Sequence, residues 1–82
     1  MGKHDKLLAK LQSRPKDFTF QEVVTLLAGF GYALNQSGSE SRVRFEHAHC
    51  APIFMHKPHP SPTLKPYQVE QVLDVLHQEG LL

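Results

Sequence analysis

The chemistry-bearing residues of this 82-residue chain are concentrated between Ser39 and Pro60, in the run SESRVRFEHAHCAPIFMHKPHP. Arg42 and Arg44 alternate with Val43 and Phe45. Four of the six histidines, His47, His49, His56 and His59, surround a second apolar run, Ile53-Phe54-Met55. Successive side chains of a strand point to opposite faces, so Val43 and Phe45 can fill one side of a sheet while the arginines take the other. Guanidinium groups match phosphate oxygens at two points, and imidazole exchanges protons near neutral pH. On one open face, such groups suit a phosphodiester. The chain reads as a small RNA-handling domain equipped as a ribonuclease.

Metal-free RNA cleavage turns the 2′-hydroxyl on the adjacent phosphorus. A base takes its proton, an acid protonates the leaving 5′-oxygen, and a cation stabilises the charge that develops. His56 is the first candidate for acid or base, because a third strand paired with the second brings it to the face of Arg42 and Arg44. His59 is the second, on a loop stiffened by prolines. Arg42 and Arg44 are the candidate phosphate contacts, with Phe54 on the same face for a base to stack on. Lys65 precedes a helix start, where free N–H groups and the helix dipole favour an anion, and Lys57 flanks the same loop. The plainer readings are a solvated strand face that discourages edge pairing, an exposed edge histidine, a loop histidine bonded to local backbone, and two surface lysines.

His47 shares the parity of Val43 and Phe45, which points to a structural role at the strand end. His4, His49 and His77 read as solvent-facing. A zinc site drawn from His47, His49, Cys50, His56 and His59 has enough nitrogen and sulfur, but the spacing fits no standard finger. No metal or cofactor is therefore expected. No serine or cysteine sits in a nucleophile elbow.

The elements that must position these groups can be read in order. Leu7, Leu8 and Leu11 give Lys3–Ser13 a helical stripe, packed on the domain or offered to a partner, and Arg14-Pro15 ends it. Thr19 with Glu22 forms a capping box that opens a helix over about 19–30, and Gly31 stops it. Strands are expected over 32–36, 41–46 and 52–56, with a turn at Ser37-Gly38-Ser39. Four prolines stiffen 57–66. Pro66 then opens a last helix whose apolar stripe is Tyr67, Val69, Val72, Leu73 and Leu76, ended by Gly80. The fold class is α+β: a three-stranded antiparallel meander between two helices that cover one face, with a short helix in front. Residues 1–15 read as a helical extension and 16–82 as the domain. The layout resembles a double-stranded-RNA-binding domain.

At this length one domain with a modest core is the limit. A formal charge of +1 leaves RNA affinity to local clustering. A single cysteine, no signal-peptide core and no run of about 20 apolar residues make the cytoplasm the expected compartment, with no membrane contact.

The succession RPKDFTFQEVVTLLAGFGYAL, SRVRF, HKPHP and LKPYQVEQVLDVLHQEGLL resembles the HicA toxins of bacterial toxin–antitoxin pairs, over about residues 14–82. The resemblance implies metal-independent endoribonuclease action on mRNA and a HicB-like antitoxin that blocks the active face. His59 upstream of Lys65-Pro66 fits the family pattern. One departure is clear: typical members carry Gly-Ser-His at the head of the second strand, with that histidine catalytic. Aligned on Phe45, this chain has Glu40, Ser41 and Arg42 there. An RNA-binding module without cleavage, or a zinc-dependent interaction domain, stand as alternatives.

Overall fold

Thr19 and Glu22 close both halves of the expected box. The Glu22 N–H donates to Thr19 Oγ1 at 3.1 Å and the Thr19 N–H to Glu22 Oε1 at 2.9 Å. In the computed structural model, which describes residues 2–36, 42–58 and 60–82, this box starts the second of three helices. The order is α1 (Lys3–Gln12), α2 (Phe20–Gly29), β1 (Ala33–Asn35), β2 (Arg42–Glu46), β3 (Ile53–His56) and α3 (Pro66–Gln78). This is the expected α+β succession. The turn expected at Ser37–Ser39 lies outside the described residues. Gly31 and Gly80 end α2 and α3 with φ of 98° and 73°, a region costly for any residue bearing a Cβ.

The sheet is antiparallel in the order β1-β2-β3. Leu34 lies opposite Phe45, Val43 opposite Met55, and Phe45 opposite Ile53. Along β2 exposure alternates residue by residue, with Val43 and Phe45 buried and Arg42, Arg44 and Glu46 outside. The buried face joins Val23, Leu26 and Leu27 of α2 and Val69, Val72, Leu73 and Leu76 of α3 in one core. Leu7 and Leu11 of α1 belong to the same cluster.

Phe18 and Leu64 are also fully or almost fully buried, though neither belongs to a periodic stripe. Backbone bonds bring them together: the Leu64 N–H donates to the Phe18 carbonyl at 2.7 Å, and the Phe20 N–H to the Pro62 carbonyl at 2.8 Å. The proline-rich loop is thus pinned to the lead-in of α2.

Two expectations need correction. Tyr67 is not part of the core stripe of α3 but is 63 % exposed. Successive helical residues are about 100° apart, and the buried arc begins at Gln68, leaving Tyr67 outside it. His4 is not solvent-facing. Its ring stands edge-on to Phe30, 4.6 Å between centroids, over the bare backbone of Gly29. His49 and His77 are exposed, as expected.

Lys10 ties α1 to α2 through Glu22, with Nζ 2.9 Å from Oε2. The backbone N–H of Thr19, with help from Lys10, holds the Glu22 carboxyl below its ordinary value of 4.5. A depressed carboxylate stabilises the fold above its unfolded pKa, and that stabilisation disappears as pH falls through the folded value. Acid unfolding of the wild type should therefore steepen below about pH 4.5. Glu22→Gln should be less stable at pH 7 and flatter across the acid limb, as measured by circular dichroism melts between about pH 3 and 7. A parallel fall in both proteins would remove Glu22 as the source.

Candidate nucleic-acid interface

The face of the sheet away from the helices carries Arg42, Arg44 and Glu46 from β2, Phe54 and His56 from β3, and Asn35 from β1. The register sets Arg42 against His56 and Arg44 against Phe54. The Phe54 and His56 carbonyls point away from β2, toward α3. They accept from Gln71 Nε2 at 2.6 Å and Gln68 Nε2 at 2.8 Å. Arg42–His56 and Arg44–Phe54 are therefore non-hydrogen-bonded pairs, the antiparallel geometry that brings opposing side chains closest. The two glutamines, one helical turn apart, also occupy the β3 edge and so fix this pairing.

A shallow depression of about 530 Å³ lies over this face, lined by Asn35, Arg42, Arg44, Phe54 and His56 together with Val43 and Met55. Its electrostatics are uneven. Glu46 accepts from Asn35 Nδ2 at 3.0 Å and pairs with Arg44 at 3.1 Å, so Arg44 is partly neutralised. Among the described residues Arg42 has no ion pair, and no hydrogen bond engages the His56 ring. A cation and an imidazole, both exposed and cross-strand neighbours, are thus left for a ligand.

The other sequence candidates fall elsewhere. Lys57 has the parity of Met55 and turns to the helix side, its Nζ 5.9 Å from the Phe20 ring centroid and 3.4 Å from Gln36 Oε1. Lys65 is exposed at the head of α3, its backbone N–H donating to Gln68 Oε1 at 3.0 Å. His59 lies outside the described residues. His47 has the structural place expected of it. Its Nδ1 accepts from the His49 N–H at 2.9 Å, which makes Nε2–H the donor to the Phe30 carbonyl, also at 2.9 Å. Both ring nitrogens are thereby engaged. Burial pushes the Cys50 thiol up, away from the thiolate a metal or nucleophilic role needs. Among the described residues no group of three or more His, Cys, Asp and Glu side chains gathers as a metal ion would require.

Reading the sequence missed Gln68 and Gln71. The available signal was a glutamine inside the apolar arc of α3, where only a polar partner justifies burial.

The family model described as HicA toxin of bacterial toxin-antitoxin matches residues 20–81, from the first residue of α2 to three residues beyond α3. The chain belongs to the HicA toxin family. No curated protein and no solved structure matches it. Membership makes it the toxin of a toxin–antitoxin pair and implies an antitoxin as its partner. The matched span contains the whole sheet and both helices beneath it, whereas α1 lies ahead of it. No helix among the described residues is long and apolar enough to cross a membrane.

Proposed function

We propose that this HicA-family toxin is a metal-independent endoribonuclease that cleaves mRNA in the cytoplasm and is neutralised by a HicB-like antitoxin laid over the open sheet face. One observation carries the reading: Arg42 and His56 are directly opposed, close-register neighbours on the face that no helix covers. Arg42 holds a non-bridging phosphate oxygen through its fork. The His56 ring, beside it, accepts the 2′-hydroxyl proton as that oxygen attacks phosphorus. The bond to the 5′-oxygen breaks, and an acid delivers a proton to that oxygen. The products are a 2′,3′-cyclic phosphate and a 5′-hydroxyl. His59, three residues on, is the candidate for the second proton role, since one imidazole cannot serve both ends of a single displacement. Arg44 joins by exchanging Glu46 for phosphate. Lys65, exposed at the α3 N-terminus, adds positive potential at longer range, whereas Lys57, turned to the helix side, lies off the strand's path.

The second reading, a binding module without cleavage, rests on Arg42, which stands where typical family members carry their histidine. Incubation of the purified toxin with mRNA in excess chelator separates the two. Fragments ending in 2′,3′-cyclic phosphate are expected. Binding without cleavage at every pH from about 5 to 8 would leave the module reading, and cleavage abolished by the chelator would remove the metal-free mechanism.

A further inference from the structure

Two large apolar side chains among the described residues are exposed, Phe54 at 59 % and Tyr67 at 63 %. Scattered exposed apolar residues are ordinary on any surface. Phe54 is not an isolated case of this kind. Phe54 stands on the open face, directly across from Arg44 and two residues from His56. Its backbone carbonyl is held by Gln71. Tyr67 lies one turn before Gln71 on α3, about 40° round the helix from it. Glu70 pairs with Arg14, just past α1, while Gln68 and Gln71 face β3. Tyr67 lies between Gln71 and Glu70, almost opposite the buried arc of α3, and so points to solvent. Of the two rings, Phe54 is the one that stands beside the arginines.

From this placement we infer that the toxin takes its RNA single-stranded, with an unpaired base stacked on Phe54 and the adjoining phosphates on Arg42 and Arg44. The inference rests on the proposed RNA-cleaving function and names the form of substrate that site accepts. Three observations carry it. A duplex keeps its base faces stacked inward and offers a protein only edges, riboses and phosphates, so a protruding phenyl ring finds no π-face there. The same ring would hold a duplex off the arginines beside it. The face is also small: β2 has five residues, about 17 Å, and three strands span about 10 Å. That accommodates a few splayed nucleotides, not the two successive grooves a duplex reader contacts. A cationic strand row beside an aromatic one is the pairing that tracks a single strand, and stacking tolerates any base.

The test uses the whole chain and a labelled 2′-O-methyl oligonucleotide, whose blocked nucleophile prevents cleavage, read by fluorescence anisotropy. The single strand should bind at least about 10-fold tighter than the duplex of the same sequence. Phe54→Ala should weaken single-strand binding by about 5- to 150-fold, Phe54→Tyr should restore it, and Phe54→Leu should not. Tyr67→Ala, off the open face, should leave it close to wild type. Replacing bases by abasic sites should weaken the wild type but add little to the loss in Phe54→Ala. Equal or tighter duplex binding, or an unchanged Phe54→Ala, overturns the inference. So does a Phe54→Ala variant that loses antitoxin binding while keeping RNA. Each of these leaves the cleavage reading standing. Absence of binding to either form removes both.

Discussion

His56→Ala is expected to lower RNA cleavage by about 10²- to 10⁴-fold, with RNA affinity changed far less. The His56 ring is exposed and makes no hydrogen bond among the described residues, so its removal leaves the core untouched. What His56 contributes to the fold is its backbone carbonyl, which accepts from Gln68. Alanine keeps that carbonyl. The melting temperature should accordingly stay close to wild type, as for surface changes in general. Expression without antitoxin should arrest growth for the wild type and not for the variant. Arg42→Lys makes a useful companion: it keeps the charge but loses the two-point phosphate contact, so cleavage should fall without a matching loss of binding. Equal cleavage and equal arrest by wild type and His56→Ala would remove this histidine from the chemistry and shift attention to His59. A variant that loses binding and cleavage together would make His56 a phosphate contact instead.

The parts of the fold that a reader of the sequence can see are those whose causes are local. Thr19 and Glu22 are three residues apart, and their reciprocal bonds start α2. The alternation Arg42-Val43-Arg44-Phe45 needs nothing beyond the period of a strand to put its two kinds of residue on two faces. Gly31 and Gly80 stop helices by their own backbone freedom. The site is legible to the same depth, because Arg42, Arg44 and His56 follow from strand parity plus one antiparallel pairing. What escapes depends on distant neighbours. Phe18 is buried because Leu64, far along the chain, bonds its carbonyl. Gln68 is 2 % exposed because the edge of β3 runs past it. Tyr67 looks apolar enough for the stripe, yet lies just beyond the arc the core occupies. Lys57, which flanks the loop that leads to Lys65, continues the parity of Met55 and so turns to the helix side. The partners of Glu46, Asn35 on β1 and Arg44 beside it, become visible only with the sheet assembled.

Leu11→Ala should unfold the domain more easily by about 2–5 kcal/mol, a large share of the stability of so short a chain. The expectation is not obvious from the sequence, since α1 precedes the matched residues and reads as an extension. The structure gives it three anchors. Leu11 has no exposed surface, and Leu7 is 9 % exposed beside it in the common core. Lys10 pairs with Glu22 on α2, and Arg14 pairs with Glu70 on α3. Arg14 itself has φ of 54°, a left-handed conformation that costs a residue with a Cβ about 1–2 kcal/mol. Its ion pair with Glu70 is exposed and screened by solvent, so the burial of Leu11 is what holds the turn in place. It follows that Arg14→Gly, which relieves the backbone while losing the pair, should be nearly neutral. Leu11→Ala should not: at about 4–8 °C per kcal/mol, its melting point should drop by roughly 8–40 °C in a single transition. Gly29 probes the same joint from the other side. A Cβ there would run into the His4 ring, so Gly29→Ala should destabilise although alanine is the better helix former. Adding His4→Ala should recover stability, because the ring that clashes is gone. A Leu11→Ala melt within about 2 °C of wild type would make α1 a loose appendage. A cooperative loss would make it a structural part of this toxin, needed to hold the sheet that presents Arg42 and His56.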